Sequence, residues 1–193
     1  RWAERYERWL RARGVTTNTV TFHLRNLRAV YNRSVKKRLI PASFPNPFTH
    51  LTVRQTVTRK RALSRETIKR ICTADFSALH PKYSLARDIF MFSFFTRGMS
   101  FVDMAYLKRS DVSDSTLTYC RRKTGQTLSI GWEQQMQAIV DRYATEKATS
   151  YLLPLITRED GTERTQYESK MQQVNRHLKK IGQQLGLPIP LTT

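Results

Sequence analysis

The feature that most constrains this chain is an interruption. Apolar residues recur at helical spacing from the N-terminus to about Val35, the pattern stops across Pro41, Pro45 and Pro47, and it resumes only at Ser64. Proline removes a backbone donor and blocks the preceding turn of a helix, so three of them within seven residues end regular structure. Residues 49–58 are polar with little periodicity and run into the basic cluster Arg59, Lys60 and Arg61. The pattern predicts two domains, 1–58 and 59–193, joined by a basic linker.

In the front domain, Trp2, Tyr6, Trp9 and Leu10 predict a first helix, with Gly14 as its C-terminal stop. The spacing of the aromatic residues assigns them to a core rather than to base-stacking platforms. Thr16 and Thr17 provide a natural cap for a long second helix whose apolar stripe is Val20, Leu24, Leu27, Tyr31 and Val35. Arg25, Arg28, Arg33, Lys36, Lys37 and Arg38 lie off that stripe. The chain carries 34 Lys and Arg against 15 Asp and Glu, and residues 1–62 hold fifteen of the cations but only two of the anions. With so few acidic partners available inside the domain, these cations are candidates for phosphate contact, together with Arg59, Lys60 and Arg61. The partner this charge selects is nucleic acid.

The second domain opens at Ser64, a helix cap with Glu66 in the first turn and Ile68 and Ile71 on the apolar face. Residues 83–95 are apolar nearly all round, which predicts a buried central helix, and Arg97 emerges from its end. A short helix over 100–107 follows. The period then changes to two over 117–122 and 127–130, an antiparallel hairpin reversed at 123–126 with Gly125. If the strand reaches Arg122, Arg121 and Lys123 share a face and Arg122 points away. Helices are expected again over 133–143 and 166–185, the last stopped by Gly186, with a short apolar run at 152–156 between them.

Other functional classes find no support. No apolar run approaches the roughly 18 residues of a membrane span, so no membrane partner is expected. Cys72 and Cys120 cannot build a disulfide framework, which fits a reducing cytoplasm, and the four His residues show no metal-ligand spacing. A phosphate-binding P-loop, a GxSxG elbow and a GxGxxG turn are absent. Both termini read as cut ends: the first residues begin inside a helix, and the last, Leu187 to Thr193, form an extended approach with no element after it.

Taken together, the basic helical domain, the linker, the segment Thr96 Arg97 Gly98 Met99 Ser100 Phe101 Val102 Asp103 Met104, the following Leu107 and Ser110 Asp111 Val112, and the Arg122 Lys123 Thr124 Gly125 reversal resemble a tyrosine recombinase of the phage-integrase family, especially the integrases of conjugative transposons. The resemblance implies a mainly α chain: a SAM-like helical core-binding domain over 1–58, then the first two thirds of an α+β catalytic domain with a small antiparallel β-hairpin. It implies a C-shaped clamp around double-stranded DNA, recombinase protomers acting as tetramers on two duplexes, and accessory DNA-bending proteins. Such enzymes cleave DNA by attack of a tyrosine hydroxyl on a phosphodiester and need neither metal nor ATP.

Site residues follow from the same resemblance. Lys123 matches the hairpin lysine that donates a proton to the departing 5′ oxygen, and Asp103 matches the acidic residue one turn beyond the first catalytic arginine. That arginine's own slot falls on Ser100, whose hydroxyl carries no positive charge. The candidate substitute is either Arg97, three residues earlier, or Arg121, on the strand face expected for Lys123. The family's histidine-arginine box and tyrosine nucleophile belong after the 187–193 segment, so these 193 residues are expected to bind DNA without cutting it. The rival to this reading is a non-enzymatic, sequence-specific DNA-binding regulator.

Overall fold

The computed structural model describes residues 2–41, 43–51, 55–57, 62–76, 80–144 and 149–193. The chain divides into two compact units, Arg1–Lys60 and Arg61–Thr193. The described residues are mostly helical with a small antiparallel sheet, as the sequence predicts.

The first unit pairs α1 (Trp2–Ala12) with α2 (Thr17–Lys36). Its core is Ala3, Leu10, Val20, Leu24, Phe48 and Leu51. The aromatic stripe of α1 is therefore not the core it was expected to be: Trp2 and Trp9 are about half exposed, at 51% and 49%. The residues α1 buries are Ala3 and Leu10, and the indoles lie outside that core. Trp2 meets Phe48 edge-on at 5.5 Å, while Trp9 stacks on Tyr6 at 5.9 Å and carries the Arg13 guanidinium 4.2 Å from its ring centre. Phe48 lies in the proline-rich segment and fills the space the helices leave. Asn46 accepts its backbone N–H at 2.9 Å, and Arg28 donates from one nitrogen to the carbonyls of Phe48 and Leu51, at 2.9 and 3.0 Å. Asn18, in the first turn of α2, exchanges hydrogen bonds with the backbone of Thr56, so the chain leaves this unit beside the start of that helix.

The second unit runs α3 (Arg65–Thr73), α4 (Lys82–Phe95), α5 (Phe101–Ala105), a 3-10 turn (Arg109–Asp111), β1 (Val112–Ser113), β2 (Thr116–Cys120), β3 (Thr127–Gly131), α6 (Gln134–Arg142) and α7 (Glu163–Gln184). Ser64 caps α3 by accepting the Thr67 N–H at 3.1 Å. Helix α4 is central, with Ala86, Ile89 and Phe92 fully buried, and it packs along α7 through Val174, Leu178 and Ile181. Asp88, 2% exposed on α4, is neutralised by Arg87 and Arg142 and accepts the Tyr143 hydroxyl at 2.9 Å. Leu191 packs against Gly182, whose missing side chain lets the 187–193 segment close on α7.

The sheet order is β1-β2-β3, with Val112 opposite Leu117 and Leu117 opposite Ile130. Two corrections to the sequence reading belong here. The hairpin has a third strand, β1, joined to β2 through Asp114 and Ser115, both in the left-handed region at φ 47° and 56°. And β2 ends at Cys120 rather than Arg122, because the Arg121 carbonyl accepts the N–H groups of both Thr124, at 3.3 Å, and Gly125, at 2.8 Å, coiling the chain into a turn. Strand alternation therefore does not extend over Arg121, Arg122 and Lys123. Both cysteines are exposed and free, although each sits in an apolar-patterned segment.

Candidate functional site

Helix α4 ends at Phe95, and its last turn is closed by bonds from Arg97 N–H to Phe94 O at 3.0 Å and from Gly98 N–H to Ser93 O at 2.8 Å. This pair is a Schellman ending, which puts the residue after the cap in the left-handed region. That residue is Arg97, at φ 60°. Buried Thr96 anchors the corner by donating its hydroxyl to Phe92 O at 2.7 Å, and the Ser93 hydroxyl ties it forward to Met99 O at 2.8 Å. An exposed guanidinium is thus carried on a backbone fixed by the end of α4.

Ser100 then caps α5. Its hydroxyl donates to Asp103 Oδ2 at 2.7 Å, and the Asp103 backbone N–H returns a longer bond of 3.4 Å to that hydroxyl. Asp103 is 3% exposed, and its other oxygen accepts the backbone N–H of Arg122 at 2.9 Å. The carboxylate therefore joins the start of α5 to the β2–β3 turn across nineteen positions of sequence. The helix does not continue from Arg97 to Ser100, so Arg97 reaches the site from the α4 corner and not by rotation about a shared axis.

A cleft of about 330 Å³ lies where these parts meet, lined by Thr96 to Ser100, Tyr119, Arg121, Leu128, Ser129 and Ile130. It brings Arg97, Ser100 and Arg121 together. Arg121 is half-buried in its wall. Burial pushes the Tyr119 phenol above its ordinary range, the Asp103 charge adds to this, and the Arg121 guanidinium opposes it. Lys123 is exposed, two residues along the same turn from Arg121, and is not part of the cleft wall. Arg122, expected to point away, lies with its guanidinium carbon 3.7 Å above the centre of the Tyr106 ring. Sequence reasoning missed Tyr106, although its place three residues after Asp103 on a helix sets the two on neighbouring faces.

Of the cations expected to contact phosphate in the first unit, Arg25, Arg33, Lys36, Lys37 and Arg38 are exposed. Arg28 is engaged differently: its guanidinium is committed to the Phe48 and Leu51 carbonyls and lies 5.8 Å from the Phe48 ring centre. Arg38 ends α2 as Arg97 ends α4, left-handed at φ 58° with the Leu39 N–H on Ser34 O. Arg59, Lys60 and Arg61 lie outside the described residues. Among the described residues no helix is long and apolar enough to cross a membrane, and no group of three or more His, Cys, Asp or Glu side chains could hold a metal ion.

A family model described as "Phage integrase SAM-like domain" matches residues 1–52. No curated protein matches the sequence. Among solved structures, a lambda integrase tetramer bound to a Holliday junction is similar with a TM-score of 0.64 and 15% identity, over 91% of this chain and 50% of that one. A lambda integrase dimer bound to a COC′ core site is similar with a TM-score of 0.64 and 16% identity, over 98% of this chain and 51% of that one. The chain thus spans about half the length of the proteins it resembles in fold. A phage integrase SAM-like domain at residues 1–52 and the fold of lambda integrase bear out the expected resemblance to phage integrases.

Proposed function

We propose that this chain is the DNA-holding and phosphate-activating portion of a site-specific recombinase, an integrase of a mobile genetic element. The observation that carries the proposal is the cleft that Arg97, Ser100 and Arg121 line together, with Lys123 exposed two residues along the chain from Arg121. Transfer of a phosphodiester to a tyrosine passes through a pentacoordinate phosphorus whose oxygens gain charge. Guanidinium groups held on rigid backbone stabilise that charge, and bidentate geometry makes them better suited to it than ammonium groups. In this reading Arg97 and Arg121 together supply what Ser100 cannot, Asp103 braces the start of α5 against the turn, and Lys123 protonates the departing 5′ oxygen.

The exposed cations of the first unit, Arg25, Arg33, Lys36, Lys37 and Arg38, hold the duplex through its backbone, with Arg59, Lys60 and Arg61 continuing the contact along the linker. In this reading the protein works in the cytoplasm on double-stranded DNA, with further recombinase protomers and accessory DNA-bending proteins as partners. The 193 residues alone bind without cutting, and strand cleavage through a 3′-phosphotyrosine belongs to the full-length protein.

The test uses both. The 193-residue chain should bind a duplex with a steep salt dependence and give no covalent adduct. The full-length protein should give a covalent 3′ adduct on a nicked suicide duplex, and Arg97→Ala or Arg121→Ala should abolish it. Full activity in both variants removes the cleft from the reaction. Tight operator binding by a full-length protein that never forms an adduct means a DNA-binding regulator instead.

A further inference from the structure

We infer that Arg122 is a positioning residue: α5 grips it through Asp103 and Tyr106, and that grip fixes the turn from which Lys123 reaches the phosphodiester. The inference rests on the proton-donor role proposed for Lys123 and names what holds the donor in place.

Arg122 is held at both ends. Its backbone N–H donates to Asp103 Oδ1 at 2.9 Å, and Asp103 is itself buried and fixed by the Ser100 hydroxyl on its other oxygen. Its guanidinium lies 3.7 Å above the centre of the Tyr106 ring. A planar guanidinium stacks on an aromatic face in a way an ammonium cannot. The platform is itself buttressed: Tyr151 meets the Tyr106 ring edge-on at 5.9 Å and 88°, and Tyr167 from α7 meets it at 5.6 Å and 66°. Tyr151 is fixed in turn, because it pairs with Lys108 as a β-bridge and the next residue, Leu152, donates to Leu107 O at 2.7 Å.

The geometry leaves Lys123 little backbone freedom. Its Cα is about 3.8 Å from that of Arg122 across a trans peptide. One residue before Arg122, the Arg121 carbonyl holds the Thr124 and Gly125 N–H groups. The backbone on both sides of Lys123 is thus tied down, while its side chain is exposed. Ser100, Asp103 and Tyr106 follow one another at three-residue steps as the N-cap, a residue within and the C-cap of α5, so one short helix and its caps carry the hydroxyl, the carboxylate and the ring that fix the turn.

The step served by this placement balances simply. The attacking phenol gives its proton to water and its oxygen forms a bond to phosphorus, the bond from phosphorus to the 5′ oxygen breaks, and the Lys123 ammonium gives its proton to that oxygen and becomes a neutral amine. An error of about 1 Å in such a donor can cost about 10²-fold in rate. A 5′ sulfur in place of the scissile oxygen leaves as a thiolate and needs no proton, since thiols ionise near pKa 8.5.

The experiment compares oxygen- and sulfur-bridged suicide duplexes in the full-length protein. Lys123→Ala should slow cleavage of the oxygen duplex strongly and recover with sulfur. Arg122→Ala should slow the oxygen duplex about 10- to 100-fold and recover to within a few-fold with sulfur. Arg122→Lys, which keeps the charge and loses the stack, should resemble Arg122→Ala, and Tyr106→Phe should fall between the parent and Tyr106→Leu. If Lys123→Ala recovers and Arg122→Ala does not, or if Arg122→Ala loses nothing, the inference is overturned while the proton-donor reading stands. If Lys123→Ala fails to recover, the donor assignment falls and takes the inference with it. Hydrogen exchange on the 193-residue chain separates this from misfolding: in Arg122→Ala the Thr124 and Gly125 amides should exchange at least about tenfold faster while Phe92 stays protected, and unchanged turn amides would also overturn it.

Discussion

Arg97 holds, at φ 60°, the left-handed position after α4 that Gly186, at φ 63°, holds after α7. The bonding around the two is the same, since Gly98 N–H reaches Ser93 O and Leu187 N–H reaches Gly182 O. Glycine adopts this conformation without penalty, whereas a residue with a Cβ gives up roughly 1–2 kcal/mol. The positive charge at a helix C-terminus returns about 0.3–1 kcal/mol of that. Arg97→Gly should therefore raise the thermal midpoint of the second unit by a few degrees, corresponding to about 0.5–1 kcal/mol. The same change should weaken duplex binding. A stabilised variant that binds as tightly as the parent would make Arg97 an ordinary helix end.

Charge on α2 should separate into two classes. Replacing exposed Arg25, Arg33, Lys36 and Lys37 together with Gln should cut the slope of log affinity against log salt by about three to four, if each meets one phosphate. Arg28→Gln should leave that slope nearly unchanged and instead destabilise the first unit by about 1–3 kcal/mol, because the Phe48 and Leu51 carbonyls lose their shared donor. Salt titrations paired with urea melts read both quantities, and a large slope change in Arg28→Gln would place it on the DNA instead.

The buried carboxylate of Asp88 is the most concentrated polar investment in the second unit. Breaking a buried ion pair costs about 3–5 kcal/mol, and because Arg142 is half in solvent the cost of Asp88→Asn should sit nearer 2–3 kcal/mol. The Tyr143 phenol reports the same contact. Burial and then the Asp88 charge hold its pKa far above the usual tyrosine range. In the variant, spectrophotometric titration should find that phenol ionising at lower pH, and an unmoved titration would assign the shift to burial alone.

What could be read from the sequence was whatever repeats. The 3.6-residue period marked the long helices, and the alternation in Leu117 and Tyr119 marked β2. What could not be read depends on single contacts over long separations. Phe48 sits among prolines with no period, and only the packed unit shows that it fills the core. Strand β1 has two residues and turns through Asp114 and Ser115, where a glycine would have signalled the reversal. The candidate site divides in the same way. Arg97, Arg121, Lys123 and Asp103 were candidates by residue type and order, but the bond from Asp103 to the Arg122 N–H and the contact with Tyr106 exist only because α5 and the turn meet in space.

His177 on α7 gives the chain a pH dependence of definite sign. Its ring meets Tyr83 edge-on at 4.9 Å. Burial is the main cause holding its pKa below the ordinary value, and Lys82, Lys180, Arg176 and His80 add like-charge repulsion. The unfolded chain, with its histidine near pKa 6.5, therefore binds a proton before the folded chain does. Stability is fully present above that value and is lost as the pH falls through the lower folded pKa. Urea melts from pH 7.5 down to pH 5 should show the second unit weakening, and His177→Gln should flatten that decline by removing the group that must charge in an already cationic neighbourhood. Parent and variant curves that stay parallel would show that His177 titrates alike in the folded and unfolded chain.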